Sequence, residues 1–281
     1  VIPGRFTAAD LPPLPWLEVA NPSARLGGVR HALFDFDGTI SVIRRGWENI
    51  MIPMMVKMIC DQQPPTPEIE AEVAAYVDRS TGILTIRQME WLEKAVRRYG
   101  LAREPRSARE YKAIYNERLL RPVRRRLSQM DGSQASRDAL TIAGARPFLQ
   151  GLWDRGVELY LASGTDHEYV LEEASVLGVT EFFGERIYGA RDDTEAYTKE
   201  RIIQRILQEN HLEGEELVVV GDGPVEIRNA KARDAVALGV AANEERRQGL
   251  NRRKRERLLN AGADLVVADF FHHDELLRFL C

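Results

Sequence analysis

The 281-residue sequence predicts an α/β fold, a doubly wound parallel sheet with an all-helical block inserted into it. Three observations predict this. A short apolar run rich in strand formers, Val29 to Phe36, stops at Asp37-Gly38-Thr39. From about Trp47 to Leu140 the text is long amphipathic stretches with no convincing strand. From Pro147 onward, helical and strand patterns alternate, as a parallel sheet with helical crossovers requires.

The elements follow in order. Residues 1–28 hold five prolines (Pro3, Pro12, Pro13, Pro15 and Pro22) and end in Gly27-Gly28. Proline removes backbone donors and fixes φ, so this stretch reads as an extended surface arm, with Trp16 and Leu17 able to pin it. Val1-Ile2-Pro3-Gly4 lacks a charged region followed by an apolar core, so no signal peptide is expected. The missing initiator Met suggests a start inside a longer chain. Val29 to Phe36 is the first buried strand. Amphipathic stretches at 47–61, 68–79, 85–99 and 107–129, broken by Pro64-Pro65-Thr66-Pro67 and Gly100, build the insertion. Met51, Met54, Met55 and Met58 have helical spacing and read as its core. Helices are then expected at 147–155, 166–177, 199–210, 226–232, 244–261 and 273–280, and strands at 157–162, 186–189, 217–220, 235–240 and 264–267. The expected division is an arm (1–28), an α/β core (29–43 and 141–281) and a helical block (44–140) placed to act as a lid.

Composition narrows the class of function. Hydrophobic residues make up 44% and charged residues 29%, an ordinary globular mixture that excludes collagen, a wholly disordered chain and a disulfide scaffold. With 39 cations against 43 acids, net −4, no global basic field attracts nucleic acid or anionic lipid. Cys60 and Cys281 form no C-x-x-C pair, and no apolar run reaches the length of a membrane span, so a cytoplasmic protein is expected. Only six of the 39 cations are lysines, so a Lys in a chemical setting merits notice.

Four short motifs carry the chemistry. In Asp35-Phe36-Asp37-Gly38-Thr39, residues two apart on a strand face the same way, so Asp35 and Asp37 converge at the strand's carboxyl end, where open α/β sheets bind ligands. Two adjacent carboxylates stay ionised together if they share a cation, and Mg²⁺ is the natural hard ion for oxygen ligands. An acidic turn closing a strand is the plainer alternative. Ser163-Gly164-Thr165-Asp166 offers a hydroxyl and bare amides where a strand enters a helix, an anion cradle or simply an N-cap by Thr165 or Asp166. Lys199, in Ala196-Tyr197-Thr198-Lys199, opens a helix although a cation there opposes the macrodipole; a bound phosphate would explain it, and so would plain solvation. Finally, Val218 to Val220 deliver Asp222 to a strand end, and Gly223-Pro224 starts a helix with Glu226 in its first turn.

In this order, the four motifs resemble the haloacid dehalogenase superfamily of phosphotransferases over about residues 30–43 and 142–270, a Rossmann-like core. The insertion resembles the C1 type of cap seen in phosphoglycolate phosphatases and β-phosphoglucomutases. The resemblance implies that Asp35 is the nucleophile that becomes an aspartyl phosphate, while Asp37 protonates the leaving oxygen and then activates water. It implies that Ser163 and the Gly164 amide hold phosphate, that Lys199 neutralises it, and that Asp35, the Asp37 carbonyl and Asp222 ligate Mg²⁺ with Glu226 in support. Glu226 stands where the family frequently has Asp. Asp37 speaks against a dehalogenase and against P-type ATPases, whose motif has Thr there, and it alone counts against a phosphonatase that would use cap Lys57, Lys94 or Lys112. A phosphatase acting on a small soluble phosphate ester is the expected activity. A phosphomutase keeps both acids and is the alternative, and a non-catalytic binding protein is a more distant one.

Substrate choice is expected from the cap and its approaches. Arg44 and Arg45 leave the first motif and are candidates for a second anionic group on the substrate, or else solvated linker residues. In Thr81-Gly82-Ile83-Leu84-Thr85-Ile86-Arg87-Gln88, Thr85 and Gln88 are candidates for sugar hydroxyls, or Thr85 for a helix cap. The basic runs Arg121 to Arg126 and Arg252-Arg253-Lys254-Arg255 lack interleaved aromatics and read as solvated helix faces, so no nucleic-acid partner is expected. Monomer and dimer are both compatible with the sequence.

Overall fold

The structure, a computed structural model, describes residues 4–191 and 198–281. Val1, Ile2 and Pro3 of the opening segment, and Ala196 and Tyr197 of the third motif, lie outside the described residues. In chain order the elements are β1 (Phe6–Thr7), β2 (Leu17–Val19), β3 (Arg25–Leu26) and β4 (His31–Phe34). The helical block follows with α1 (Glu48–Cys60), α2 (Pro67–Arg79), α3 (Thr85–Tyr99), α4 (Ala108–Leu127) and α5 (Gln134–Asp138). Next come α6 (Ala145–Trp153), β5 (Glu158–Asp166), α7 (His167–Val176), α8 (Thr180–Phe183) and β6 (Ile187–Ala190). The chain closes with α9 (Lys199–Glu209), β7 (Leu217–Gly221), α10 (Pro224–Lys231), β8 (Val236–Val240), α11 (Arg252–Asn260), β9 (Leu265–Val267) and α12 (His273–Leu280).

Seven strands form one sheet in the order β2-β9-β8-β7-β4-β5-β6, parallel throughout except for the β2–β9 pair. Side chains alternate across it. Ala32 and Phe34 point into the apolar layer that holds Phe148, Phe182 and Phe270, whereas Leu33 points into the layer with Ile202, Ile203 and Ile227. The same alternation carries Asp35, one residue beyond β4, toward the α9–α10 side. β4 lies between β5 and β7, so all the motif-bearing strands are neighbours.

Local chemistry sets the helix limits in the insertion. Thr66 caps α2 by accepting from the Ile69 amide, with Pro67 at the first helical position. Ser107 and Glu110 form a capping box on α4, and Gly100, left-handed at φ 63°, stops α3. Met51, Met54 and Met55 are buried in the apolar cluster, as their spacing predicts.

Two expectations change, and the extended proline-rich segment is pinned at Trp16 and Leu17: Trp16 stacks on His272, Leu17–Val19 adds an antiparallel edge strand to β9, and β1 and β3 pair in a small ladder of their own. Its short pairing stretches fall between the prolines, where period-2 patterning is too brief to read. The strand expected to end at Ala162 runs to Asp166, because β5 resumes pairing with β6 at Asp166 and Ala190 after a register shift. The helix expected over 244–261 is only α11. Ala242 pairs with Leu250 to make a loop, and the Asn251 side chain then caps the helix by accepting from the Lys254 amide. Among the described residues, no helix is long and apolar enough to cross a membrane.

Candidate active site

The first motif turns sharply after β4. The amides of Ile40 and Ser41 both donate to the Phe36 carbonyl, and Gly38 takes φ 79°, which a side chain would resist. A Cβ at Gly38 would also lie 2.2 Å from Asp222 Oδ2, so the glycine lets motifs one and four touch. Lys199, the first residue of α9, donates to Asp35 Oδ1 at 2.6 Å and lies 3.2 Å from Glu226 Oε2. All four of Asp35, Lys199, Asp222 and Glu226 are buried.

Burial pushes the Asp35 carboxyl well above its ordinary range; Lys199 pulls it down, and the Glu226 and Asp222 charges push it back up. The Lys199 ammonium is opposed by burial, but Asp35 and Glu226 overcome that and raise its pKa. The acids therefore outnumber the cation they share. One oxygen each of Asp35, Asp222 and Glu226 lie within 4.8 Å of one another. Among the described residues nothing donates a hydrogen bond to Glu226 Oε2, and a Cβ at Gly221 would fall 2.4 Å from the Glu226 side chain. Buried, under-neutralised carboxylate oxygens at this spacing fit a hard divalent cation. Such an ion would supply positive charge where the buried carboxylates crowd together. The Asp37 carboxylate stands outside this trio.

Asp37 has a different neighbourhood. Its Oδ2 accepts from the Ser163 hydroxyl and from the Thr165 hydroxyl, each at 3.1 Å, and the Thr165 amide in turn donates to Ser163 Oγ at 3.1 Å. Its Oδ1 has no hydrogen-bond donor among the described residues and sits 3.9 Å from Arg44 Nε. Burial raises the Asp37 pKa against Arg44 and the two hydroxyls. Oδ2 is thus fixed by two hydroxyls and Oδ1 is shielded from solvent beside Arg44, so the carboxyl is held in one orientation in the cavity wall.

A family model described as "hydrolase: haloacid dehalogenase-like hydrolase" matches residues 29–233. The chain belongs to the haloacid dehalogenase-like hydrolases. Solved structures agree on the fold. A predicted phosphatase from Clostridium acetobutylicum superposes with TM-score 0.57 at 16% identity, covering 90% of this chain and 100% of that one. A predicted phosphoglycolate phosphatase from Haemophilus somnus gives 0.56 at 13% identity over 89% and 98% of the two chains. A β-phosphoglucomutase from Clostridium difficile gives 0.56 at 12% identity over 89% and 97%. No curated protein matches the sequence.

In this hydrolase the helical block closes over the motifs. A cavity of about 70 Å³ is lined from the core by Asp35, Asp37, Ser163 to Thr165 and Asp222, and from the insertion by Trp47, Thr81 to Ile83, Thr85, Gln88, Tyr115 and Leu119. The loop between α2 and α3 rests directly on the core. A Cβ at Gly164 would lie 2.3 Å from the Ile83 carbonyl, and one at Gly82 (φ 97°) 2.2 Å from Glu226 Oε2. Thr85 is no helix cap: its hydroxyl donates to the Gly164 carbonyl at 3.3 Å. Gln88 donates to Ser80 Oγ at 3.2 Å, so both candidates reach the cavity with one polar group already engaged.

The two linker arginines part company. Arg44 is buried in the cavity wall, where Glu173 holds its Nε at 3.1 Å and its Nη2 at 2.6 Å; it is not solvated. Burial pushes Glu173 up to about 7 against the pull of Arg44. Arg45 does not line the cavity and pairs with Glu245 at 3.4 Å. Asp166 is no cap either; it is held by Lys112 and Asn116 of α4, beside a wider groove of about 820 Å³ that carries none of the four motif acids.

Sequence reasoning missed three contributors. Thr165 was read as a possible cap and is a donor to Asp37. Lys254 and Arg257, on a helix whose basic run looked solvated, both turn inward. Lys254 Nζ donates to Asp222 Oδ2 at 2.5 Å and to Glu244 Oε1 at 2.6 Å. Arg257 donates to the Asp222 carbonyl at 3.2 Å and to Thr81 Oγ1 at 3.1 Å, tying α11 to the cap loop. The scarcity of lysine in an arginine-rich chain was the one available signal for Lys254.

Proposed function

We propose that this chain is a Mg²⁺-dependent phosphomonoester hydrolase that works through an aspartyl phosphate on Asp35. The observation that carries the reading is the buried contact of Asp35 with Lys199 inside the carboxylate trio, with the Asp37 side chain lining the same cavity. An Asp35 oxygen attacks phosphorus, the bond to the ester oxygen breaks, and Asp37 gives that oxygen its proton. Asp37 then takes a proton from water as the water oxygen attacks phosphorus, which releases phosphate and restores Asp35. Lys199 offsets charge on the phosphoryl oxygens. Residues 44–140 act as the cap; closed over the cavity that Trp47, Gln88 and Tyr115 line, they exclude bulk water and favour a small metabolite over a phosphoprotein segment.

The test is hydrolysis of a chromogenic phosphate ester, followed by a panel of metabolite phosphates, with Mg²⁺ and with EDTA. Turnover should require the metal, and Asp35→Asn should lower it by on the order of 10⁴-fold or more with circular dichroism unchanged. Full activity in that variant removes Asp35 as the nucleophile. Slow release of phosphate to water, accelerated transfer to a sugar phosphate, would replace the hydrolase by a mutase.

A further inference from the structure

Among the described residues, two lysines are buried, and the proposed chemistry uses only one. Lys254, the third residue of α11, is inserted between Asp222 Oδ2 (2.5 Å) and Glu244 Oε1 (2.6 Å). An ammonium so enclosed by protein needs a compensating arrangement, since desolvating a charge costs several kcal/mol. Two features specify what that arrangement holds. The Asp222 main chain is fixed independently, its carbonyl accepting from Arg257 Nη2. And a Cβ at Gly38 would come 3.0 Å from Lys254 Nζ as well as 2.2 Å from Asp222 Oδ2, so the first-motif glycine is fitted to the pair and not to Asp222 alone.

We propose that Lys254 is a positioning residue for the divalent cation: it occupies one carboxylate oxygen of Asp222 and so fixes the other for the ion held with Asp35 and Glu226. This rests on the reading of the site as cation-dependent. A bare ammonium beside a metal ligand would repel the ion, and Glu244 resolves the conflict. Half-buried with Oε1 2.6 Å from Nζ, Glu244 offsets the lysine's charge and leaves its hydrogen bond to Asp222. Outer partners that orient a ligand in this way typically change metal affinity by about 10–100-fold.

Isothermal titration of the full chain with Mg²⁺, and with Mn²⁺ as a tighter-binding probe, tests this without reference to turnover. Lys254→Met should raise Kd by about 10–100-fold. Because that variant strands Glu244 and can fail to fold, the double variant Lys254→Met/Glu244→Gln is the deciding measurement. It leaves the local charge sum as in the wild type and removes the hydrogen bond to Asp222 along with the Lys254–Glu244 pair, and it should show the same loss with circular dichroism unchanged. A double variant that binds as tightly as the wild type overturns the positioning role and leaves the hydrolase reading standing. A wild-type chain that binds neither ion overturns both.

Discussion

Lys199 and Lys254 are two solutions to one problem, how to keep a cation inside a cluster of carboxylates. Lys199 opens α9 and spans Asp35 and Glu226; Lys254 sits in the first turn of α11 and spans Asp222 and Glu244. Each is fully charged because two acids outweigh burial. They differ in what lies in front of them. Lys199 touches the side chain proposed to carry phosphate, whereas Lys254 touches a proposed metal ligand and a second acid that does not line the cavity. One cation is set to meet a charge that arrives and departs, and the other to hold still a charge that is always there.

Substitutions can break this contrast. Lys199→Met should have the largest effect, lowering kcat by roughly 10²–10³-fold through lost charge stabilisation. It also leaves Asp35 and Glu226 facing each other, so thermal unfolding in EDTA should fall by about 3–5 kcal/mol and recover in part when Mg²⁺ is added. Equal loss with and without metal would show that Lys199 packs the site and does not share its charge. Gly82→Ala comes next. Its Cβ would sit 2.2 Å from Glu226 Oε2 at a φ of 97°, so urea unfolding should show about 1–3 kcal/mol of destabilisation, with a raised KM as the loop lifts. An unchanged midpoint would mean that the loop does not bear on Glu226. Arg253→Ala should do least. It neighbours Lys254 but points outward, so the melting temperature should move by less than about 2 °C and metal affinity should not move. A large effect there would mean that the whole basic run acts as a field and that Lys254 is not special.

The helical block, the strand alternation and the four strand-end motifs were legible because each repeats a simple period or sits where a period stops. Asp35, Lys199 and Asp222 stand at such stops. Lys254 does not: it lies inside a run of arginines, and charge alone cannot say which side of a helix faces in. The inward side of α11 is set by Leu258 and by the acids across from it, Asp222 and Glu244, which are far apart from one another in the chain. The burial of Arg44 is hidden for the same reason, since its partner Glu173 is 129 residues away. The edge strand β2 was hidden by shortness, three residues among prolines.

That edge strand has a consequence for handling the protein. β9 is Leu265-Val266-Val267, three buried apolar residues whose outer hydrogen-bonding side pairs with Leu17–Val19, and Glu18 of that cover is clasped by Arg255 of α11. Trimming the chain to its recognisable catalytic motifs would strip this cover and offer neighbouring molecules an open seam to pair with. The segment least like an enzyme in its composition therefore shields a flank of the catalytic sheet.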